Sequence, residues 1–496
     1  MPPARPHRPR AFILACVSAL ALSVAMPAAA QYSQGRYPAP MAPPSQTIPR
    51  EHLATVESAG GLYTGPITSY VSQVGARVAA AAGRNDCAFH VLNSDIVNAF
   101  TSPPGCHVYV TRGLLTLINT EDELASVLGH EVGHVTANHA GRRQTRSVLT
   151  TLGAQILGAL AKSPDLAQLA GQAGQLNVLS YSRQQEFEAD QLGVRSIAQA
   201  GYSPYGLVEM LTALQREDQF DNLRRGRQPQ PETTAWTRSH PLTSDRVARA
   251  AQAARSAGPA PRPGAEAEGR DAYLRQIDGL LFGDDPRQGV IDGRRFSHPD
   301  LRIGFEVPAG FAMTNGATAV SIEGPGGAKG QLAMGRLSSG LEQYANEVLQ
   351  KTVGQSGATR GQAQRTRIGG FDAVVLPARA QTSQRSVVDV VVAAYDDGSG
   401  QAYHFVTLAP AGRGQLWEPV IGSFRRLTPR EVAQTGGRRI EIVTVRPGDT
   451  AQSLSQRMAF DDYRLERFQT INGLAAGETL RPGQRVKIVI AGVAQR

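Results

Sequence analysis

Two histidines and a glutamate in one short segment, residues 128–134, have the spacing of a metal-binding motif. His130 and His134 are four residues apart, so on an α-helix both imidazoles leave the same face, as two ligands of one Zn²⁺ must. Glu131 lies about 100° further round the helix, where it reaches a metal-bound water rather than the metal. The pattern predicts metal-assisted hydrolysis of peptide bonds. The alternative is a chance match on an ordinary core helix.

The residues before the motif predict where this helix begins. Thr120 and Glu123 have the spacing of a capping box, in which the threonine side chain accepts the N–H of Glu123. Leucines and valines at helical spacing then give the helix a buried face, which fixes the direction of the histidines. His139 lies five residues beyond His134, about 140° round a continued helix, so we interpret it as a structural histidine rather than a ligand.

A third ligand is expected from residues 182–190, which predict the start of another helix. Glu186 and Asp190 share one face of it with small residues that let a neighbouring helix approach, whereas Glu188 is expected to face solvent. A buried carboxylate pair beside histidines is costly unless a cation is present. We therefore expect Glu186 to bind the metal and Asp190 to orient a ligating histidine. The alternative is an acid pair favoured only by the helix dipole.

Together with Ser239-His240-Pro241 and Arg246, these segments resemble the gluzincin metallopeptidases of the HtpX, CAAX-prenyl endopeptidase and BepA family. Asn98-Ala99-Phe100 and residues 110–114 are also similar to that family, and the likeness extends over about residues 50–255. The soluble periplasmic branch is the better match because the transmembrane helices of the other branches are missing. Helical repeats, which often follow in that branch, are also missing here.

The resemblance implies a zinc endopeptidase with one Zn²⁺ per chain. By it, His130, His134 and Glu186 are the metal ligands and Glu131 is the general base. His240 is implied to approach the metal, as a fourth ligand at rest or as an oxyanion-stabilising donor during turnover. Arg246 is implied to hold the site or to contact the substrate.

Composition places the chain among globular proteins. Its 496 residues are 41% hydrophobic and 19% charged, enough for two to four domains with cores. The net charge of +9 falls to +6 if Arg5, Arg8 and Arg10 are removed with a leader. No basic stripe with interleaved aromatic residues is present, so we expect no nucleic-acid partner and at most a weak, peripheral attraction to an anionic envelope surface.

The first thirty residues have the pattern of a secretory signal peptide. A basic start, an apolar run and Ala28-Ala29-Ala30 before Gln31 predict cleavage and a periplasmic location. An uncleaved anchor, or a lipoprotein modified at Cys16, are the alternatives. No other stretch is long and apolar enough to span a bilayer, so we expect no transmembrane span in the mature chain.

Two cysteines remain after removal of the leader, and each begins a predicted strand. A disulfide between Cys87 and Cys106 is one possibility in an oxidising compartment, and two free thiols are the other. The second strand, residues 107–111, is expected to flank the cleft and pair with extended substrate, or to be an ordinary sheet strand. Residues 148–161 form an apolar segment rich in Ala and Gly, and an Ala/Gln/Gly run follows to Gln175. We expect a buried helical pair, and the alternative is a mobile hairpin that covers the active site or rests on a membrane surface.

The C-terminal half predicts two further parts. Short strands alternating with turns, and a helix at about 341–352, indicate an α+β domain without a catalytic constellation. Residues 440–491 resemble a LysM module of strand-helix-helix-strand form, a family that binds N-acetylglucosamine-containing glycans. Peptidoglycan is the implied partner, in a groove between the turns at 448–450 and 472–474. The alternative is a module that only packs.

We therefore expect an α+β protein with a mainly helical, zincin-like peptidase domain and a small β-sheet. The predicted parts are a signal peptide (1–30), a flexible lead-in (31–50), the metallopeptidase domain (51–255), a linker with a short helix at 273–282 (256–287), the α+β domain (288–428) and the LysM-like module (440–491). The function expected is cleavage of envelope proteins by a secreted zinc metalloendopeptidase held at peptidoglycan. The alternatives are a glycan-binding or chaperone-like protein with an idle metal site, and a peptidoglycan hydrolase.

Overall fold

The computed structural model describes most of the chain beyond the predicted leader. The described residues are 47–141, 181–224, 235–242, 244–259, 265–316, 318–353, 358–381 and 386–492. The predicted signal peptide and the apolar segments at 148–175 lie outside them. Among the described residues, no helix combines the length and the apolar character needed to cross a membrane.

The first sheet has three strands, β1 (Cys87–Leu92), β2 (Ala99–Ser102) and β3 (Cys106–Thr111), in the order β1-β3-β2. β1 and β3 run parallel, and Cys87 lies opposite Cys106, with which it forms a disulfide. β3 is the central strand, with β1 and β2 on either side, so the expectation that residues 107–111 pair with substrate was wrong. β2 lies at one edge of this sheet and packs against the motif helix.

Eight helices form the rest of this part of the described chain. They are α1 (Leu53–Ser58), α2 (Pro66–Ala81), α3 (Arg112–Leu117), α4 (Glu121–Thr136), α5 (Arg183–Gln199), α6 (Gly206–Arg224), α7 (Ala235–Ser239) and α8 (Ser244–Ala257). α4 carries the His-Glu-x-x-His motif and packs against α2, α5 and α6. It is buried from Glu121 to His134, because other elements cover both its apolar and its polar faces.

Small residues allow α4 and α5 to lie unusually close. A Cβ at Gly133 would be 2.8 Å from the carbonyl oxygen of Ala189, and one at Gly193 would be 3.0 Å from the backbone nitrogen of His130. Side chains at these positions would therefore force the helices apart. The close approach brings the polar face of α5 onto the histidines of α4.

The N-terminus of α4 differs in one bond from the predicted capping box. The Thr120 hydroxyl accepts the N–H of Glu123 at 3.1 Å, as expected. The carboxylate of Glu123, however, accepts the N–H of Asn119 at 2.6 Å rather than that of Thr120. The reciprocal bond thus fixes the loop before the cap as well as the helix.

Helix α9 (Ala265–Ile277) leads out of the peptidase part and ends earlier than predicted. The predicted helix over 273–282 is wrong in its second half, because Gly279 adopts a left-handed backbone with φ 77° and breaks the helix. Leu281–Phe282 form a short strand, β4, instead.

The middle domain is built on two antiparallel sheets. The smaller has the order β16-β7-β6-β5, and the larger has the order β11-β13-β14-β15-β10-β9-β8 with β12 paired to β13. Helix α10 (Leu341–Val353) covers one face of the larger sheet. Alternate residues of β14 enter the two cores, Val390 and Val392 beneath α10 and Ala393 and Tyr395 on the other face. The bounds are β5 (Val290–Asp292), β6 (Arg295–His298), β7 (Ile303–Glu306), β8 (Ala312–Asn315), β9 (Val320–Glu323), β10 (Lys329–Arg336), β11 (Ala358–Arg360), β12 (Gln364–Ile368), β13 (Phe371–Gln381), β14 (Val387–Asp396), β15 (Gln401–Pro410), β16 (Arg425–Arg426), α11 (Glu418–Gly422) and α12 (Pro429–Gln434).

The last part has the strand-helix-helix-strand order expected for a LysM module. Its elements are β17 (Arg438–Thr444), α13 (Ala451–Ser455), α14 (Arg464–Asn472) and β18 (Arg485–Ala491). β17 and β18 pair antiparallel, and β4 adds a third strand beside β17. A strand that follows α9 is therefore part of the module's sheet.

Candidate metal centre

Three parts of the chain bring four possible metal ligands together. His130 and His134 come from α4, Glu186 from α5, and His240 from the residue after α7. His130 Nε2 is 3.0 Å from His134 Nε2 and 3.2 Å from His240 Nδ1. Glu186 Oε1 is 3.1 Å from His240 Nδ1 and 3.4 Å from His134 Nε2. The two histidines and the glutamate expected as ligands meet here, and His240 joins them.

These distances fit one small cation. Ligands about 2.0–2.1 Å from a tetrahedral zinc are separated by roughly 3.3 Å, which is close to the separations of the four ligand atoms. All four side chains are buried. Imidazole nitrogens and carboxylate oxygens, the groups present here, are also common ligands of zinc in proteins. The residues present therefore fit a tetrahedral metal ion enclosed by protein atoms.

Arg246 and Asp190 lie directly behind the ligands. Asp190 Oδ1 is 2.9 Å from His130 Nδ1, on the side of the ring away from the other ligands. Arg246 bonds Asp190 through Nε and Nη2 at 2.7 and 2.9 Å and reaches Glu186 Oε2 through Nη1 at 2.7 Å. Burial alone would raise the pKa of Glu186, but Arg246 and then His240 outweigh it and hold that pKa well below its ordinary value.

Glu131 is buried beside the ligands without a hydrogen-bond donor among the described residues. Neither of its carboxylate oxygens has a hydrogen-bond partner in that part of the chain, and His240 Nε2 lies 3.4 Å from Oε1. Burial raises the pKa of Glu131 despite opposing contributions from His240 and His130. A buried carboxylate left in this way is ready to accept a proton from a molecule in the site.

His139 contributes to the site in a way that helical geometry did not predict. Its Nδ1 is 2.8 Å from His134 Nδ1, and its Nε2 is 3.2 Å from Glu188 Oε2. α4 ends at Thr136, and Asn138 has a left-handed backbone with φ 50°, which turns the chain back toward the helix. The angle calculated for a continued helix therefore does not apply to His139. Glu188, expected to face solvent, is the acceptor next to it.

Two aromatic rings that sequence reasoning missed hold the imidazoles in place. Tyr181 stacks on His134 with ring centroids 3.8 Å apart, and Trp236 stacks on His240 at 4.5 Å. Trp236 is fully buried, and its backbone N–H donates to the carbonyl of Val97 just before β2. The only signal in the sequence was their position a few residues before Glu186 and His240.

A helix with a His-Glu-x-x-His motif, completed by a carboxylate from a second helix, defines the metal centre of a metallopeptidase domain. Residues 67–254 match the model of peptidase family M48, and residues 443–489 match that of the LysM domain. The chain thus contains an M48 peptidase domain followed by a LysM domain, which confirms the resemblance found in the sequence.

Several metalloproteases are similar to this chain. The beta-barrel assembly-enhancing protease of Escherichia coli (strain K12) is 31% identical over 195 residues, which cover 37% of this chain and 38% of that protein. The mitochondrial metalloendopeptidase OMA1 of Schizosaccharomyces pombe is 36% identical over 151 residues, 28% of this chain and 41% of that protein. The metalloprotease LoiP of Escherichia coli (strain K12) is 27% identical over 197 residues, 39% of this chain and 71% of that protein. The match with the first of these relatives spans less than half of its length.

Proposed function

We propose that this chain is a zinc-dependent metalloendopeptidase of the bacterial envelope that hydrolyses peptide bonds of envelope proteins. The observation that carries the proposal is the meeting of His130, His134 and Glu186 beside a buried Glu131 that has no hydrogen-bond donor within the described part of the chain. Zinc bound by these ligands supplies a Lewis acid and lowers the pKa of water toward neutrality.

Glu131 is the proposed proton carrier. Its carboxylate takes a proton from the attacking water and delivers it to the leaving amine, and its raised pKa suits both transfers. His240 has Nδ1 among the ligands and Nε2 toward Glu131. We propose that this imidazole occupies the fourth position at rest and, when it swings aside, donates to the oxyanion of the substrate.

The edge strand β2 is the proposed binding site for substrate backbone. It packs against α4, and β3 occupies its other side. An extended peptide added to the free edge would run past the metal centre, with main-chain bonds giving affinity independent of sequence. This fits a protease that acts on many proteins, as quality control of the envelope requires.

The LysM domain supports a second proposal, attachment to peptidoglycan. In the turn at residues 448–450, Gly448 and Thr450 are exposed, which leaves one wall of the expected glycan groove accessible. The secretory leader predicted for residues 1–30 is consistent with a periplasmic enzyme.

Glu131→Gln tests the proposed peptidase directly. The variant should cleave casein roughly 10²–10⁴-fold more slowly than the wild type, while zinc content stays near one ion per chain. A Glu131→Gln enzyme with unchanged activity would overturn the assignment. A wild type that binds zinc but cleaves no protein would favour an idle metal site, and digestion of muropeptides would favour a peptidoglycan hydrolase.

A further inference from the structure

One buried lysine of the LysM domain makes three hydrogen bonds to the peptidase domain. Lys487, on β18, is fully buried. Its Nζ lies 2.8, 3.0 and 2.9 Å from the carbonyl oxygens of Thr116, Leu117 and Ile118 respectively. These three residues end α3 and begin the loop that leads to α4. The contact therefore connects the last strand of the chain to the start of the motif helix.

The donors of the lysine and the carbonyl acceptors that it contacts match in number. An ammonium group has three N–H donors and no acceptor, and three carbonyl groups receive them. The last carbonyl groups of a helix have no partners within it, so α3 needs donors from elsewhere. The Tyr273 hydroxyl, on α9, donates to the preceding carbonyl of Leu115 at 2.5 Å. Four successive carbonyl groups thus accept from residues outside the 67–254 peptidase match.

The loop held by Lys487 sets the beginning of α4. Asn119 follows Ile118 directly, and its N–H donates to Glu123 in the first turn of α4. Glu123 is itself buried, and burial raises its pKa, whereas the N–H of Asn119 and the positive charge of Lys487 lower it. His130 lies two turns further along the same helix. The position of the lysine therefore bears on the helix that carries two of the proposed ligands.

Other contacts extend the same interface. Arg270 of α9 donates to the backbone and side-chain oxygens of Asn472 at 3.4 and 3.3 Å. Arg467 of α14 lies over the ring of Phe220 in α6, 4.9 Å from its centroid. On the other side, Arg112 of α3 donates to the carbonyl of Leu281 in β4, at 2.7 Å. The LysM domain thus makes hydrogen bonds with α3 and α9 and a cation–π contact with α6.

We propose that the LysM domain is a built-in partner of the peptidase domain, docked through Lys487, and that this docking holds the start of the motif helix in place. In this proposal the LysM domain is held in a fixed position against the peptidase domain and is not a flexibly attached anchor. Because Gly448 and Thr450 in the first turn of the expected glycan groove are exposed, a glycan bound there would hold the metal centre at a fixed orientation to the cell wall. This last consequence, and the zinc measurement described below, rest on the proposed function.

Amine labelling of the intact chain tests the docking without any measure of activity. The sequence contains only four lysines, Lys162, Lys329, Lys351 and Lys487. Lys329 and Lys351 are exposed, so a water-soluble amine-reactive ester should label them rapidly. Lys487 should react on the order of 100-fold more slowly, because labelling requires undocking. Peptide mass spectrometry gives the rate at each site. Labelling of Lys487 as fast as the two exposed lysines would overturn the proposal.

Lys487→Met, with Lys351→Met as the matched control, tests the consequence for the peptidase. Methionine keeps the apolar stem but removes the lysine's donors from three buried carbonyl groups, of which only that of Leu117 keeps a second donor among the described residues, the Asn119 side chain at 3.1 Å. The variant should unfold at a temperature several degrees lower and lose zinc to a chelator faster, whereas the control should match the wild type. Unchanged unfolding and zinc retention in Lys487→Met would contradict the proposal. If that variant does not fold at all, the labelling rates of the wild type still decide.

Discussion

Arg246 lies between two carboxylates that have different neighbours at the metal centre. One, Glu186, points at the ligand nitrogens, and the other, Asp190, points at the far nitrogen of His130. The guanidinium bonds both and is itself fully buried, so its charge compensates two acids that would otherwise be costly to bury. Glu186 can therefore remain deprotonated although it is buried. A lysine, with one point charge, could not contact both carboxylates in this planar arrangement.

The first prediction concerns Asp190→Asn. The amide keeps the shape but removes the charge that holds the Nδ1–H of His130, so Nε2 becomes a weaker ligand. We expect zinc affinity to fall roughly 10–100-fold, measured by competition with a chromophoric chelator. Asp372→Asn is the matched control, since Asp372 is exposed and its ion pair with Arg367, at 3.8 Å, lies at the surface. Equal affinities for the Asp190→Asn variant and the wild type would refute an orienting role for Asp190.

At the scale of elements, periodic patterns in the sequence predicted the helices but not how distant segments meet. α4 and α5 were predictable because apolar, small and capping residues all agree on their bounds and faces. His240 had no local pattern of its own and was recognised only through a family resemblance. The parallel pairing of β1 with β3 could not be read from strand propensity, since two strands of similar character pair in either direction. The position of His139 depended on one residue, Asn138, that reverses the chain.

The second prediction tests the close contact of α4 and α5. Gly133→Ala adds a Cβ that would lie 2.8 Å from the carbonyl oxygen of Ala189, so the helices must separate. We expect a loss of about 1–3 kcal/mol in the free energy of unfolding, and a lower zinc content because Glu186 moves away from the histidines. Gly340→Ala is the control, since a Cβ there meets nothing within 4 Å. A Gly133→Ala protein as stable as the wild type would show that the helices have room to spare.

For the whole molecule, the order of domains along the chain conceals their physical organisation. The sequence suggested separate domains joined by linkers, and the composition of residues 256–287 favoured that division. Instead β4 joins the sheet of the LysM domain, and Lys487 reaches the loop before α4. Neither contact could be recognised from the sequence, because a lysine in a strand is common and a two-residue strand is too short to give a pattern. Contacts between residues several hundred positions apart are set by tertiary packing, which local patterns do not encode.

The third prediction concerns the response of the whole fold to acid. His90 is buried in β1, and burial, followed by the nearby His107 and His52, lowers its pKa to about 4. An unfolded histidine titrates near 6.5, so the unfolded chain takes up a proton first as the pH falls. The stability due to neutral His90 is therefore fully present above pH 6.5 and is lost progressively as the pH falls toward 4. The gap corresponds to about 3 kcal/mol at most.

Denaturant unfolding between pH 8 and pH 4 measures this effect. His90→Gln cannot titrate, so its free energy of unfolding should fall less steeply over that range than that of the wild type. The slope should not vanish, because burial also lowers the pKa of His404, in the middle domain, to about 4. At pH 8 both histidines are neutral, and any difference between variant and wild type there reports packing and the hydrogen bond between His90 Nε2 and His107 Nδ1. Parallel curves for the two proteins from pH 8 to pH 4 would mean that His90 gains its proton as readily in the fold as outside it.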